Sequence, residues 1–233
     1  MSDARSEILA RIRSALVDVP ADEDPSTQSI PRLYRHSAPC GHEADAETFV
    51  LALSHYGVQV SQARRFEVAI RVGEILARRN KRRIVVAADF PAEFEPDGVE
   101  VCRDLELSNA EIAAMDGAVT LCTLGIAQTG TILLDHGTGQ GRRVLSLLPD
   151  YQLCLIDAGQ IVSLVPEAVE RSTEALRAGR PLTFISGPSA TSDIELIRVP
   201  GVHGPRTLDV LLVREPMNGA GAGDLDRRLS PAD

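Results

Sequence analysis

The run Ile84-Val85-Val86-Ala87-Ala88 constrains the fold of this chain more than any other segment. It holds no polar residue, and its β-branched members favour an extended backbone. A strand with one wet face alternates apolar and polar residues, whereas a strand without alternation is covered on both faces. Parallel sheets flanked by helices meet that condition. Leu153-Cys154-Leu155-Ile156 has the same character. Between such strands lie segments of helical spacing. Residues 66–79 place Val68, Ile70, Val72, Ile75 and Leu76 on a helical stripe, and Phe49, Val50, Leu53 and Tyr56 form an earlier one that Gly57 ends. Ser108 with Glu111 is a capping box. Residues 166–178 begin with Pro and stop at Gly179, as a single helix should. Short buried strands alternating with helices of roughly 10–15 residues predict an α/β fold. Its sheet is mostly parallel, in a three-layer arrangement with flanking helices.

Further short strands are expected over 58–60, 99–101, 118–127, 131–134 and 208–213, and a short helix over 142–148 that Pro149 stops. Ahead of the domain, Ile8, Leu9, Ile12, Ala15 and Leu16 recur at helical spacing within residues 3–17. Residues 19–39 are rich in Pro, Asp and Ser and read as a linker. The chain therefore divides into an N-terminal helix and linker arm (1–42), one α/β domain (43–214) and a disordered tail (215–233).

Charge excludes some functions. The net charge is −9, from 24 Lys and Arg against 33 Asp and Glu. Nucleic acid and anionic membranes need a basic surface, so neither is an expected partner. The basic stretch over 78–83 lies where a helix gives way to a strand, and cations there complement the helix end. No apolar run approaches the ~20 residues of a membrane span. The charged start does not resemble a signal peptide, so a cytoplasmic location is expected. Cys40, Cys102, Cys122 and Cys154 are far apart and form no C-x-x-C pair. They read as reduced, mostly buried thiols, and neither metal nor cofactor is expected on this chain.

Chemistry concentrates in two regions. In FISGPSATSDIE an apolar strand stops at Ser186-Gly187-Pro188, and Ser189, Thr191, Ser192, Asp193 and Glu195 follow. A Gly/Ser turn after a strand aims N–H groups and hydroxyls at one point, which suits an anion. Asp193 also suits a helix cap, which leaves Glu195 as the carboxylate for a site. His203 and Arg206 flank a Gly-Pro turn before the last strand. An imidazole there suits acid–base work, and a guanidinium suits a carboxylate or phosphate. The second region holds the turn Gln128-Thr129-Gly130-Thr131 and a glycine-rich loop over 136–141. It reads equally as anion-binding or as ordinary hairpin chemistry. It matches neither the Walker loop nor the dinucleotide fingerprint, and no G-x-S-x-G elbow supports Ser189 or Ser192 as a nucleophile. Ligands of open α/β sheets bind beyond the carboxyl ends of the strands. These segments are expected to meet at that rim.

The stretches GIAQTGTILLD, GRRVLSLLPDYQLCLI, IVSLVPEAVE and FISGPSATSDIELIRVPGVHGPRTLDVLLV, in that order, resemble the LUD (lactate utilisation) domain family, within it the LutC/YkgG subgroup. The family pattern has Glu where Gln128 stands, so no charge-dependent role passes to that position. The resemblance implies a fold like the sugar-phosphate isomerase/CoA-transferase (NagB/RpiA-like) superfamily. It implies a cluster-free subunit or accessory acting with two iron–sulfur proteins that oxidise L-lactate to pyruvate. In that setting Arg206 would grip the substrate carboxylate and His203 would take the hydroxyl proton. The alternative is a freestanding enzyme or sensor that holds a phosphorylated or CoA-linked metabolite in the 186–192 loop.

Overall fold

The computed structural model describes residues 3–19, 31, 33–38, 42–191, 199–200 and 204–214. Most of the expected linker, and the tail expected beyond 214, lie outside the described residues. The chain divides into two units, the first ending at Tyr34 and the second beginning at Arg35. In the first, helix α1 (Ala4–Ala15) is capped by Asp3, which accepts from the Arg5 N–H at 3.2 Å. Glu7 and Arg11 pair along it at 2.7 Å.

The second unit is built on a parallel sheet of six strands. Its order is β1 (Gln59–Ala63), β12 (Thr207–Val213), β7 (Tyr151–Asp157), β4 (Gly117–Thr120), β2 (Arg83–Ala87) and β3 (Glu100–Asp104). A smaller sheet runs β8 (Ile161–Val162), β5 (Leu124–Ile126), β6 (Thr131–Leu134) and β9 (Thr183–Ile185). In it β6 is antiparallel to both β5 and β9. A short ribbon joins β10 (Ala190–Thr191) to β11 (Val199–Pro200). The helices of this unit are α2 (His42–His55), α3 (Val68–Arg78), α4 (Asn109–Ala113), α5 (Val165–Arg171) and α6 (Thr173–Arg177).

Every residue of β7 is buried, as its unbroken apolar run over 153–156 requires of a strand covered on both faces. Its residues alternate between two cores. Tyr151, Leu153 and Leu155 join Val72, Ile75 and Leu76 of α3 on one face. Cys154 and Ile156 join Phe49 and Leu53 of α2, and Ile132 and Leu134 of β6, on the other. The small sheet therefore lies against the second face, and its far side packs Leu124, Ile126 and Leu133 against Ala168 of α5. Each such aliphatic side chain contributes about 1.5–3 kcal/mol by burial, before the entropy of ordering is subtracted.

The basic stretch at the end of α3 is satisfied within the fold. Arg79 forks onto buried Asp209 with bonds of 2.7 and 2.6 Å, and the Tyr151 hydroxyl donates to the same carboxylate at 3.0 Å. The hydrogen bond to Asp209 holds the Arg79 guanidinium above its ordinary value. Burial, with the Asp209 charge behind it, pushes the Tyr151 phenol far up. Asp116 accepts from the N–H groups of Arg82 and Arg83, and these bonds hold its carboxyl below the usual range.

Three expectations need correction. The predicted strand over 118–127 is two strands in different sheets, because Leu121–Thr123 carries the chain from β4 across to β5. The predicted helix over 166–178 is broken between α5 and α6. There the Ser172 hydroxyl donates back to the Ala168 carbonyl at 2.7 Å, a bond that competes with the helical ladder. The expected helix over 142–148 is only a tight turn of the i→i+3 type at Arg143–Ser146.

Candidate functional site

Two groups of clefts lie at opposite ends of the parallel strands. The first opens at the amino ends of β7 and β12 and measures about 300 Å³. The Ser186-Gly187-Pro188-Ser189 turn after β9 forms one wall, and Gln152, Pro205 and Leu208 form another. Gly187 takes φ 88°, and a Cβ there would lie 2.6 Å from Cβ of Tyr56, so only glycine lets the turn sit this close to the end of α2. The Ser189 N–H donates to the Pro205 carbonyl at 2.8 Å and ties the turn to the approach of β12.

The structure joins the two turns singled out in the sequence. Thr131 Oγ1 lies 2.8 Å from Ser186 Oγ, and Thr129 Oγ1 lies 2.7 Å from Thr131 Oγ1. This hydroxyl chain ends at the cleft wall. Gln128 is exposed and does not line the cleft; its N–H donates to the Ser163 carbonyl at 3.1 Å. Gly130, at φ 59°, packs on the α2 backbone, where a Cβ would meet Ala52 and Leu53 at 2.9 Å. Thr191 pairs with Val199 in the ribbon. Arg206 is not in the cleft wall and bonds Asp150 at 2.6 Å, with both side chains more than half exposed. Ser192, Asp193, Glu195 and His203 lie outside the described residues.

The position of this cleft corrects the expectation of a carboxyl-end rim. Strand β9 does not belong to the parallel sheet. It pairs antiparallel with β6, so its outgoing turn falls over the amino ends of β7 and β12.

The second group lies at the carboxyl ends, as two clefts of about 490 and 300 Å³. Asp89, Asp104, Asp135 and Asp157 line them, with Arg142 and Arg180. Arg142 forks onto Asp104 at 2.7 and 2.6 Å, a bond that raises its already high basicity. Asp135 accepts from Thr123 Oγ1 at 2.8 Å, Gly137 N–H at 3.0 Å and Gln140 Nε2 at 2.9 Å, and Arg180 pairs with it at 2.9 Å. Burial raises the Asp135 carboxyl, but these donors outweigh it and the net shift is downward. Buried Gln140 closes the loop from inside, accepting from the N–H groups of Asp135 at 2.9 Å and His136 at 3.1 Å.

His136 takes φ 56°, a left-handed conformation that costs a non-glycine residue energy. Its Nδ1 lies 3.0 Å from the Gly141 carbonyl and its Nε2 2.8 Å from Thr183 Oγ1. A carbonyl can only accept, so Nδ1 carries the proton; in the neutral ring Nε2 then accepts from the Thr183 hydroxyl. Thr183 lines the amino-end cleft, His136 lines the larger carboxyl-end cleft, and Arg143 lines both. Among the described residues no group of three or more His, Cys, Asp or Glu is placed to hold a metal ion.

The sequence reading missed Gln152 and the network of Thr123, Gln140 and Arg180. Gln152 had a visible signal: it is an amide set directly ahead of the apolar run Leu153-Cys154-Leu155-Ile156.

Residues 103–213 match the LUD domain model. Over 213 residues, 91% of this chain and 96% of the relative, the sequence is 39% identical to a Deinococcus radiodurans protein named lactate utilization protein C. The chain belongs to the LUD-domain family. The Escherichia coli K12 protein YkgG is 35% identical over 113 residues, 47% of this chain and 48% of that one. A crystal structure of a DUF162 family protein from Deinococcus radiodurans superposes with a TM-score of 0.66 at 37% identity, covering 75% of this chain and 99% of that one. The segment matched by the LUD model holds the amino-end cleft and most of the carboxyl-end polar network.

Proposed function

We propose that this LUD-domain protein serves lactate utilisation. In this reading it is a cluster-free subunit or accessory that acts with two iron–sulfur proteins in the oxidation of L-lactate to pyruvate. Its own part is to hold a small carboxylate metabolite. The observation that carries the proposal is the 39% identity, over nearly the full length of both chains, to a protein named for lactate utilisation. The amino-end cleft supports the binding role, because hydroxyls, backbone groups and a guanidinium converge on a half-enclosed space of about 300 Å³. The cysteine environments favour placing the electron carriers on partners. A thiol must lose its proton to ligate metal. Burial pushes the Cys122 thiol well up, and Cys154 packs beside it in the same aliphatic core. The reading includes a cytoplasmic location; among the described residues no helix is long and apolar enough to cross a membrane. It also takes the fold as a variant of the sugar-phosphate isomerase/CoA-transferase type.

The test is deletion of the gene and growth on L-lactate as sole carbon source, with native purification of the tagged full chain. Loss of growth on lactate but not on succinate, with cysteine-rich iron–sulfur proteins co-purifying, is the expected result. Normal growth on lactate would overturn the proposal.

A further inference from the structure

We infer that the amino-end cleft recognises small 2-hydroxy acids, with Gln152 reading the hydroxyl and Arg143 the carboxylate; this rests on the lactate-utilisation reading and names the ligand class of its site. Gln152 is fully buried in β7, in register with Ala118 of β4 and Leu208 of β12. Its Nε2 donates to Thr120 Oγ1 at 3.0 Å. Its Oε1 is the one buried side-chain oxygen or nitrogen among the described residues that has no hydrogen-bond partner. The same residue lines the cleft. An amide oxygen can only accept, so this buried atom, on a residue that lines the cleft, lacks an O–H or N–H donor.

Charge decides what else a molecule supplying that donor must be. Among the described residues no Asp or Glu lines this cleft, whereas the carboxyl-end clefts carry Asp89, Asp104, Asp135 and Asp157. Among the described residues Arg143 is the cation in the wall. It is exposed and pairs with no carboxylate among the described residues. A carboxylate can therefore bond its planar fork without displacing an internal partner. The remaining wall includes Leu147, Phe184 and Leu208, which suit a short alkyl group. Carboxylate, hydroxyl donor and small alkyl group together describe a 2-hydroxy acid. The corresponding 2-oxo acid has no donor for Gln152 Oε1. The site thus favours the alcohol over the ketone, which retains the reduced acid and releases the oxidised one.

The test is calorimetric titration of the full chain with L-lactate, pyruvate and propionate, which share a chain length and a carboxylate. L-Lactate is expected to bind about tenfold more tightly than either of the others, the effect of one hydrogen bond to a buried acceptor. Gln152→Leu should erase that preference. Arg143→Ala, at an exposed position that leaves the core intact, should weaken all three acids about tenfold and keep the preference. Equal binding of the three, tighter binding of pyruvate, no binding of any, or a preference that survives Gln152→Leu would each overturn the inference. If Gln152→Leu does not fold, the wild-type ratio and the Arg143→Ala series still decide. Growth on lactate separates the two readings: a growth defect without hydroxyl preference sinks this inference alone, and hydroxyl preference without a growth defect sinks the pathway reading alone.

Discussion

Replacing Gln140 by leucine should loosen the 135–140 loop and measurably destabilise the protein. Gln140 is 5% exposed, and its amide bonds four groups within 3.1 Å: the N–H groups of Asp135 and His136, the Asp135 carboxylate and Thr123 Oγ1. Leucine fills similar space and removes all four bonds. Not all of the loss leaves an orphan. The Asp135 N–H still reaches Thr123 Oγ1 at 3.1 Å, and the Asp135 carboxylate keeps Thr123, Gly137 and Arg180. The His136 N–H is left without its acceptor, at about 1–3 kcal/mol. The charge-assisted bond to Asp135 adds about 1.5–3 kcal/mol when it is lost. Water entering from the adjoining cleft offsets part of both, so about 3 kcal/mol remains. For a domain of this size that lowers Tm by roughly 6–12 °C. His136 also loses the contact that helps hold it at φ 56°. Calorimetry of wild type and variant at neutral pH is the assay. Gln140→Glu is the companion: it keeps the acceptor but sets a second carboxylate beside Asp135, so it should be unstable at pH 7 and partly recover near pH 4. A Gln140→Leu variant that melts within about 2 °C of wild type would show that the loop does not depend on this amide.

Other regions make further predictions. Arg79→Met leaves buried Asp209 with the Tyr151 hydroxyl as its one side-chain partner among the described residues and should cost about 3 kcal/mol in urea unfolding, the low end for a broken buried pair because Arg79 is partly exposed. Asp135 is held below its ordinary 3.8, so the unfolded chain takes up its proton first; stability should decline as pH falls through 3.8 towards the lower folded value, and Asp135→Asn should remove that part of the decline in urea midpoints from pH 3 to 6. Arg206→Ala breaks only an exposed pair with Asp150 and should change stability by at most about 1 kcal/mol by calorimetry.

What could be read from sequence was what local chemistry dictates. The Ile84–Ala87 run is a buried strand inside the sheet because its β-branched residues favour an extended backbone and its unbroken apolar pattern needs cover on both faces. Ser108 caps α4, accepting from the Glu111 N–H at 3.3 Å while Glu111 accepts from the Ser108 N–H at 2.8 Å. The Ser186–Ser189 turn reached a cleft because Gly and Pro had to end β9 there. Strand pairing was not legible. Nothing in Thr183-Phe184-Ile185 distinguishes a partner in the parallel sheet from the antiparallel partner β6, and that choice moved the turn from the carboxyl to the amino ends. The break at Leu121–Thr123 was hidden for the same reason: both flanking segments are apolar, and only tertiary packing sends them to different sheets. The Asp135–Gln140–Thr123–Arg180 network draws on residues up to 57 positions apart, so no short motif could announce it.

Gln152 shows why a misfit residue is more informative than a conforming one. The surrounding face of β7 is Cys154 and Ile156, packed on Phe49, Leu53 and Ile132. Leucine at 152 would extend that face and leave only the Thr120 hydroxyl of β4 short of its partner. Glutamine instead buries an amide that can make four hydrogen bonds and satisfies it with one protein contact, to Thr120. An acceptor left unpaired in the interior costs about 1–3 kcal/mol. Folding returns only the bond to buried Thr120 for that cost, because the neighbouring strands are already in register through backbone bonds and aliphatic packing. A ligand that donates a hydrogen bond gives a further return. The desolvation has then been met at folding, so the bound hydroxyl gains an acceptor that no longer has to be stripped of water. The same preorganisation makes an analogue without the donor bind less well, since it must fill the cleft and leave the oxygen unpaired.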